Sequence, residues 1–271
     1  KLSGRDSSSF DRLPSAIDAL ADVLDNNNTY HYNEYRNSHR FNLNYCDLES
    51  KLLDCEVMID LPIRLVHADL YYQRMGRHDV SHQSTFFEPS ISLRNSLWEV
   101  NAKMSSELPD LTTMVDYRDD SNPLNIMRGN PQLRDIHEYD INANRTFRGK
   151  KQMQLNVNVG YHQTDNAVAY GLTFDKQTGI STIQPMSVNG NRKYDMGVGY
   201  TRALDKSEKV TIDNQMSCTC NRNVDMAMVE GYTESQRSIV NNWLMGDVLK
   251  LNYRPNDNYE FSLHSGGNYY L

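Results

Sequence analysis

From Phe41 to the end of the chain, apolar and polar residues alternate in short runs. The cleanest run is Met153, Leu155, Val157, Val159 and Tyr161, separated by Gln154, Asn156, Asn158 and Gly160. A period of two puts the apolar residues on one face of a β-strand and the polar ones on the other. The same pattern recurs at Phe41–Tyr45, Val57–Leu65, Phe87–Leu93, Val100–Met104, Tyr139–Ala143, Val168–Phe174, Tyr194–Tyr200, Val210–Cys220, Leu249–Tyr253 and Tyr259–Leu263. It predicts about ten strands. Alternation blurs through His67, Asp69 and Tyr71, and Gly76-Arg-His-Asp79 reads as a break. Pro62 lacks a backbone donor and predicts a bulge or an edge position. Residues 1–32 are polar, with Leu13, Ile17, Leu20, Ala21 and Leu24 at the spacing of a short amphipathic helix within a loop.

The stretch Asn122-Pro-Leu-Asn-Ile-Met-Arg-Gly-Asn-Pro-Gln-Leu133 cannot be a strand. Pro123 and Pro131 each remove a donor and fix φ. Asn122 and Asn130 precede them and are pushed to extended conformations, and Gly129-Asn-Pro131 is a turn signal. With the polar residues before it, this makes a loop over 106–134, far longer than the roughly two to five residues of a hairpin connection. Leu124, Ile126, Met127 and Leu133 predict that the loop is ordered and packed against protein.

The predicted connections alternate in length. Short ones fall near 48–53, 95–98, 148–151, 204–208 and 254–258; long ones fall near 1–32, 75–85, 106–134, 163–190 and 222–236. Short turns at one end and long loops at the other are the asymmetry of an antiparallel up-and-down transmembrane β-barrel in an outer membrane. Many of the strands can reach the roughly 9–11 residues that cross a bilayer when tilted. On that reading the apolar face meets lipid and the Asn-, Gln- and Asp-rich face lines a lumen. A soluble β-rich binding module, with the apolar face against a second sheet, fits the same alternation, and both readings stay open on pattern alone.

Composition narrows the classes further. The formal net charge is −7, which argues against nucleic acid as a partner, since phosphate needs clustered Lys and Arg. No apolar run approaches the roughly 18 residues of a spanning helix. Tyr outnumbers Phe by 17 to 7, which suits amphipathic rings at a membrane–water boundary. The chain shows no nucleophile elbow and no phosphate-cradling glycine loop. Glu107, Asp119 and Asp120 read as solvated loop carboxylates. His78 and His82 have metal-like spacing without a third ligand. Cys46 and Cys55 fall on opposite parities and read as free, and Cys218 and Cys220 read as small apolar residues. The expectation is no catalytic residue, no metal and no cofactor.

Pro109–Leu133, with Asn122-Pro-Leu124 and Gly129-Asn-Pro-Gln-Leu133, resembles the NPL…GNP-x-L loop of TonB-dependent outer-membrane receptors, in the branch named for its outer-membrane β-barrel. Phe87-Glu-Pro-Ser-Ile-Ser-Leu-Arg94 is similar to the strand before that loop, and Phe174–Gly179 with Val188-Asn-Gly190 is similar to a later extracellular hairpin. The resemblance implies a barrel of the 22-stranded type around a plug domain, driven by a TonB complex and importing a small-molecule, glycan or peptide ligand. No plug is visible in the chain, so the expectation is a partial barrel domain. Asn122, Pro123, Leu124, Gly129, Asn130, Pro131 and Leu133 are the candidate loop residues, structural or ligand-facing. A non-transporting barrel, such as an adhesin or scaffold, is the alternative function.

Overall fold

The computed structural model describes residues 30–50 and 54–271. Its strands are β1 (His31–Phe41), β2 (Asn44–Ser50), β3 (Cys55–Asp60), β4 (Ile63–Gln73), β5 (Arg77–Phe87), β6 (Ser90–Arg94), β7 (Trp98–Glu107), β8 (Arg118–Asp119), β9 (Asn125–Arg128), β10 (Ile136–Arg148), β11 (Gln154–Asp165), β12 (Ala167–Phe174), β13 (Ser181–Val188), β14 (Asn191–Ala203), β15 (Val210–Ala227), β16 (Gln236–Asn256) and β17 (Tyr259–Tyr270). Among the described residues one short helix, α1 (Leu111–Met114), lies between β7 and β8. The wall is a 10-stranded sheet in the order β17-β16-β15-β14-β11-β10-β7-β6-β3-β2, antiparallel throughout.

Register turns the alternation into continuous rows across this wall. Ile59, Ile91, Ala102, Ile141, Tyr161, Tyr194, Cys220 and Trp243 stand opposite one another in sequence across eight strands. The next row on that face is Val57, Leu93, Val100, Ala143, Val159, Met196, Cys218 and Met245. The other face carries Asp60, Ser90, Lys103, Asp140, His162, Lys193, Asn221 and Asn242. Its side chains satisfy one another: His162 Nδ1 lies 2.8 Å from Asp140 Oδ1, and Thr219 Oγ1 donates to Asp195 Oδ1 at 2.7 Å. Near the short turns the apolar face carries the rings of Trp98, Phe147, Tyr200, Tyr253 and Phe261, the last two with centroids 6.3 Å apart, and the polar residues Arg145, Asn214 and Asp247 stand among them where the apolar band ends.

At one end three strands continue as a separate sheet, in the order β1-β4-β5. The ladder is interrupted at Pro62 and Pro89, which cannot donate, but the register is not: Phe41, Ile63 and Phe87 align above the break as Asn44, Asp60 and Ser90 do below it. Pro62 therefore divides two sheets without a bulge. Beyond the Phe41–Ile63–Phe87 row the apolar face becomes polar, with Asn37, His67 and Gln83 in one row and Tyr35, Asp69 and Ser81 in another. The opposite face becomes apolar: Val66, Ala68, Leu70 and Tyr72 are all buried. That reversal is why the alternation blurs through His67 and Tyr71.

Several sequence expectations need correcting. The region 75–85 is not a long loop: β5 fills it, and Arg74–Gly76 alone connects β4 to β5, with Met75 at φ 50° and Gly76 at φ 151°. The region 163–190 contains the β12–β13 hairpin, and among the described residues β1 already starts at His31, upstream of the first visible alternation. The helical spacing at Leu13–Leu24 lies outside the described residues. Cys46 stands opposite Met58, and each of the four cysteines is free.

The connection between β7 and β10 folds onto the apolar face of β4 and β5. Asp110 caps α1 by accepting the Thr112 N–H at 2.9 Å. Leu108, Leu111, Met114, Val115 and Leu133 then join Val66, Leu70, Tyr72 and Phe86 in one core. Burying apolar side chains of this size is worth roughly 1.5–3 kcal/mol each, so the loop is held as firmly as a small domain. Its strands β8 and β9 extend the β12–β13 hairpin into a 4-stranded sheet, with β9 parallel to β13; the stretch read as unable to be a strand thus holds one, at Asn125–Arg128, because Pro123 and Pro131 lie outside it. At the break, Glu88 ties four strands together. Its carboxylate accepts from Arg64 Nη2 at 2.6 Å, Arg40 Nη2 at 2.7 Å and the Ser106 N–H at 3.0 Å.

Candidate functional site

The turn that ends β4 places Arg74 under the long loop. Its side chain is 1% exposed, and Nη2 donates to Asp119 Oδ1 at 2.7 Å. Asp119 also accepts the Ser121 N–H at 3.1 Å and the Ser121 hydroxyl at 2.6 Å. The guanidinium beside it holds the Asp119 carboxyl well below the usual carboxylate range, and the carboxylate in turn raises Arg74 above its ordinary value. Both groups are ionised at any physiological pH. The guanidinium lies 4.8 Å from the Tyr117 ring centroid and 5.9 Å from that of Tyr30, within cation–π range. Tyr30 stacks on Tyr72 at 5.3 Å, Tyr72 meets Tyr117 at 6.1 Å, and His78 meets Tyr117 edge-on at 5.0 Å.

Above this base is an open cleft of about 290 Å³ between the β4 turn, the loop and the β12–β13 hairpin. Five tyrosines line it, at positions 30, 32, 72, 117 and 170, together with Arg74, Asp119, Arg128, Thr112, Thr113 and the backbone at Gly129. Tyr32 and Tyr170 keep 47% and 49% of their surface exposed, so aromatic area is open to a ligand. Arg128 is half exposed and lies 3.3 Å from Asp116.

The loop residues singled out in the sequence divide into several positions. Asn122 Oδ1 accepts the Leu124 N–H at 3.2 Å, forming the turn that contains Pro123. Leu124 is exposed, and its carbonyl accepts the Ser181 N–H at 2.9 Å. Gly129 passes so close to Val115 that a Cβ there would sit 1.9 Å from the Val115 carbonyl oxygen. Asn130 Nδ2 donates to the Pro185 carbonyl at 2.9 Å, and its Oδ1 accepts the Gln132 N–H at 2.9 Å across Pro131. Leu133 is in the core. Of these seven, only Gly129 lines the cleft.

The rest of the candidate chemistry is dispersed. Asp120 and Glu107 are exposed. His78 faces Tyr117, whereas His82 lies 2.8 Å from Asp135; among the described residues no three His, Cys, Asp or Glu groups converge on a metal-sized site. Sequence reasoning missed Arg74 and the tyrosines. The excess of Tyr over Phe was the available signal, and it points equally to a membrane boundary.

A family model described as the outer membrane protein beta-barrel family matches residues 24–270. No curated protein matches the chain in sequence. A solved structure similar to it is the siderophore receptor PirA from Pseudomonas aeruginosa, at 11% identity and a TM-score of 0.35, covering 89% of this chain and 57% of that one. The chain thus spans little more than half the length of that receptor. The family match takes in every strand of the wall, and with it the soluble-module reading falls: the uninterrupted apolar rows face outer-membrane lipid, not a second sheet, and the chain belongs to the outer membrane protein beta-barrel family.

Proposed function

We propose that this chain is part of the wall of a TonB-dependent receptor that takes up a scarce ligand, and that the tyrosine-lined cleft is where the ligand first docks. The observation that carries the reading is the loop itself. A membrane wall needs only short connections, yet here 28 residues between β7 and β10 fold over a buried core and an ion pair to shape a cleft beyond the apolar band. Such ordered long loops are usually functional. The resemblance of Asn122–Leu133 to the receptor loop supports the same reading, and implies a plug domain and a TonB complex as partners. The ionised groups of the cleft are engaged with one another, which supports a site that holds a ligand.

Deleting the gene tests this. The deleted strain is expected to lose growth on one limiting nutrient supplied as a ferric chelate, cobalamin, glycan or peptide. Intact protein should restore growth only while TonB is present, and an Asp119→Ala protein should restore it poorly. Normal growth on every nutrient, with loss of surface attachment instead, would move the protein to the adhesin reading.

A further inference from the structure

We infer that the cleft takes an uncharged glycan, recognised through the tyrosine faces; this rests on the uptake reading above. Charge is the first ground. Arg74 and Asp119 neutralise each other at 2.7 Å, and Arg128 already lies beside Asp116. No unmatched positive cluster remains to hold a ferric catecholate, whose several negative charges need one.

Size is the second ground. A volume of about 290 Å³ lies at the low end of small-molecule sites, roughly 300–1,000 Å³. It encloses on the order of one or two sugar rings, far less than the bulk of a macrocycle such as cobalamin. The open shape lets a longer chain continue out of the cleft.

Surface chemistry is the third. Tyr32 and Tyr170 are about half exposed at the cleft. A tyrosine offers a flat apolar face with a hydroxyl at its edge, held with little rotamer freedom. That combination matches a sugar ring, which has an apolar C–H face and hydroxyls around its rim. Asp119, about a quarter exposed at the base, offers its carboxylate, held in place by the buried Arg74, as a further fixed acceptor to those hydroxyls. An apolar peptide would instead need a greasier lining than Val115, Met127 and Pro185 provide.

The test is binding of fluorescently labelled neutral oligosaccharides, spanning hexose and pentose polymers of both anomers, to the protein purified in detergent, with a ferric tris-catecholate as the anionic probe. At least one neutral oligosaccharide is expected to bind, with affinity unchanged between low and high salt. Tyr32→Ala and Tyr170→Ala should each weaken it tenfold or more, while leaving the protein's heat-modifiable migration intact. Failure of every oligosaccharide to bind, or equal binding by the tyrosine variants, would overturn the inference. Tyrosine-dependent binding and uptake of the ferric probe would overturn the glycan class and leave the uptake reading standing. Glycan binding together with normal glycan use by the deletion strain would do the reverse.

Discussion

β3 and β4 follow each other in one register, yet they bury opposite faces. In β3 the apolar residues, Ile59 among them, share the side that runs as an unbroken band across the wall, and Asp60 sits on the polar side. In β4 the residues on the polar side's parity are Val66, Ala68, Leu70 and Tyr72, and all are buried. The outer parity passes to His67 and Asp69. The solvent has changed, not the strand. Where lipid surrounds the wall, apolar groups face outward and polar ones face a wet interior; past the Phe41–Ile63–Phe87 row the same strand obeys the rule of a water-soluble sheet, and the long loop supplies its core. Pro62, Pro89 and the Glu88 cluster stand where one rule gives way to the other.

The sharpest way to break the upper half without touching the lower is at its ion pair. Asp119→Ala removes the carboxylate that balances the buried Arg74 charge, at a cost of about 3–5 kcal/mol. The loop 108–133 should become open to protease in detergent while the wall keeps its migration on gels. The same pair sets a pH dependence. The folded Asp119 carboxyl is held low, so its contribution is complete above the unfolded value of about 3.9 and is lost only as pH falls through the lower folded value. Loop protection should therefore persist to about pH 4 and decline progressively below it as pH approaches the folded value, and Asp119→Asn should flatten that profile.

The lower half answers to lipid instead. Val159→Arg, within the band between Ala143 and Met196, should destabilise the wall by about 2–4 kcal/mol in bilayers. Gln83→Arg, on the same face but beyond the band, should change stability by no more than about 0.5 kcal/mol. Equal effects in urea unfolding from vesicles would erase the distinction between the two halves.

Two glycines sharpen the contrast at smaller scale. A Cβ at Gly129 meets backbone, 1.9 Å from the Val115 carbonyl oxygen, whereas a Cβ at Gly197 meets only the Asn158 side chain, at 2.2 Å. Gly129→Ala should cost about 1–3 kcal/mol of loop docking. Gly197→Ala, where an amide can swing away into the lumen, should cost about 0.5 kcal/mol. Protease sensitivity of the loop and unfolding of the wall read the two separately.

The wall was legible because its two faces differ in chemistry along every strand: Met153–Tyr161 alternates cleanly since one side meets lipid and the other water. β4 was obscured because both of its sides carry apolar residues at different heights, and β5 because its outer residues, Arg77, Asp79, Ser81 and Gln83, are as polar as a loop's. The loop's order was readable from its prolines and its Leu and Met content. The cleft was not, because its parts come from four separated places in the chain: the start of β1, the end of β4, the long loop, and the β12–β13 hairpin. No local spacing announces Arg74 meeting Asp119, and a tyrosine on a rim has the same sequence signature as one at a membrane boundary.

The parallel pairing of β9 with β13 also fixes an order of events. Wall strands such as β10 and β11 are joined by a short turn and can pair locally, but Asn125 pairs with Ser181 across a much longer span, a contact that closes a long loop and is slower for that reason. Tyr170 and Pro185, the far rim of the cleft, arrive with the same hairpin. A chain halted partway through assembly therefore has paired wall hairpins but an unfinished cleft. A closed cleft reports that the stretch from β9 to β13 is already in place.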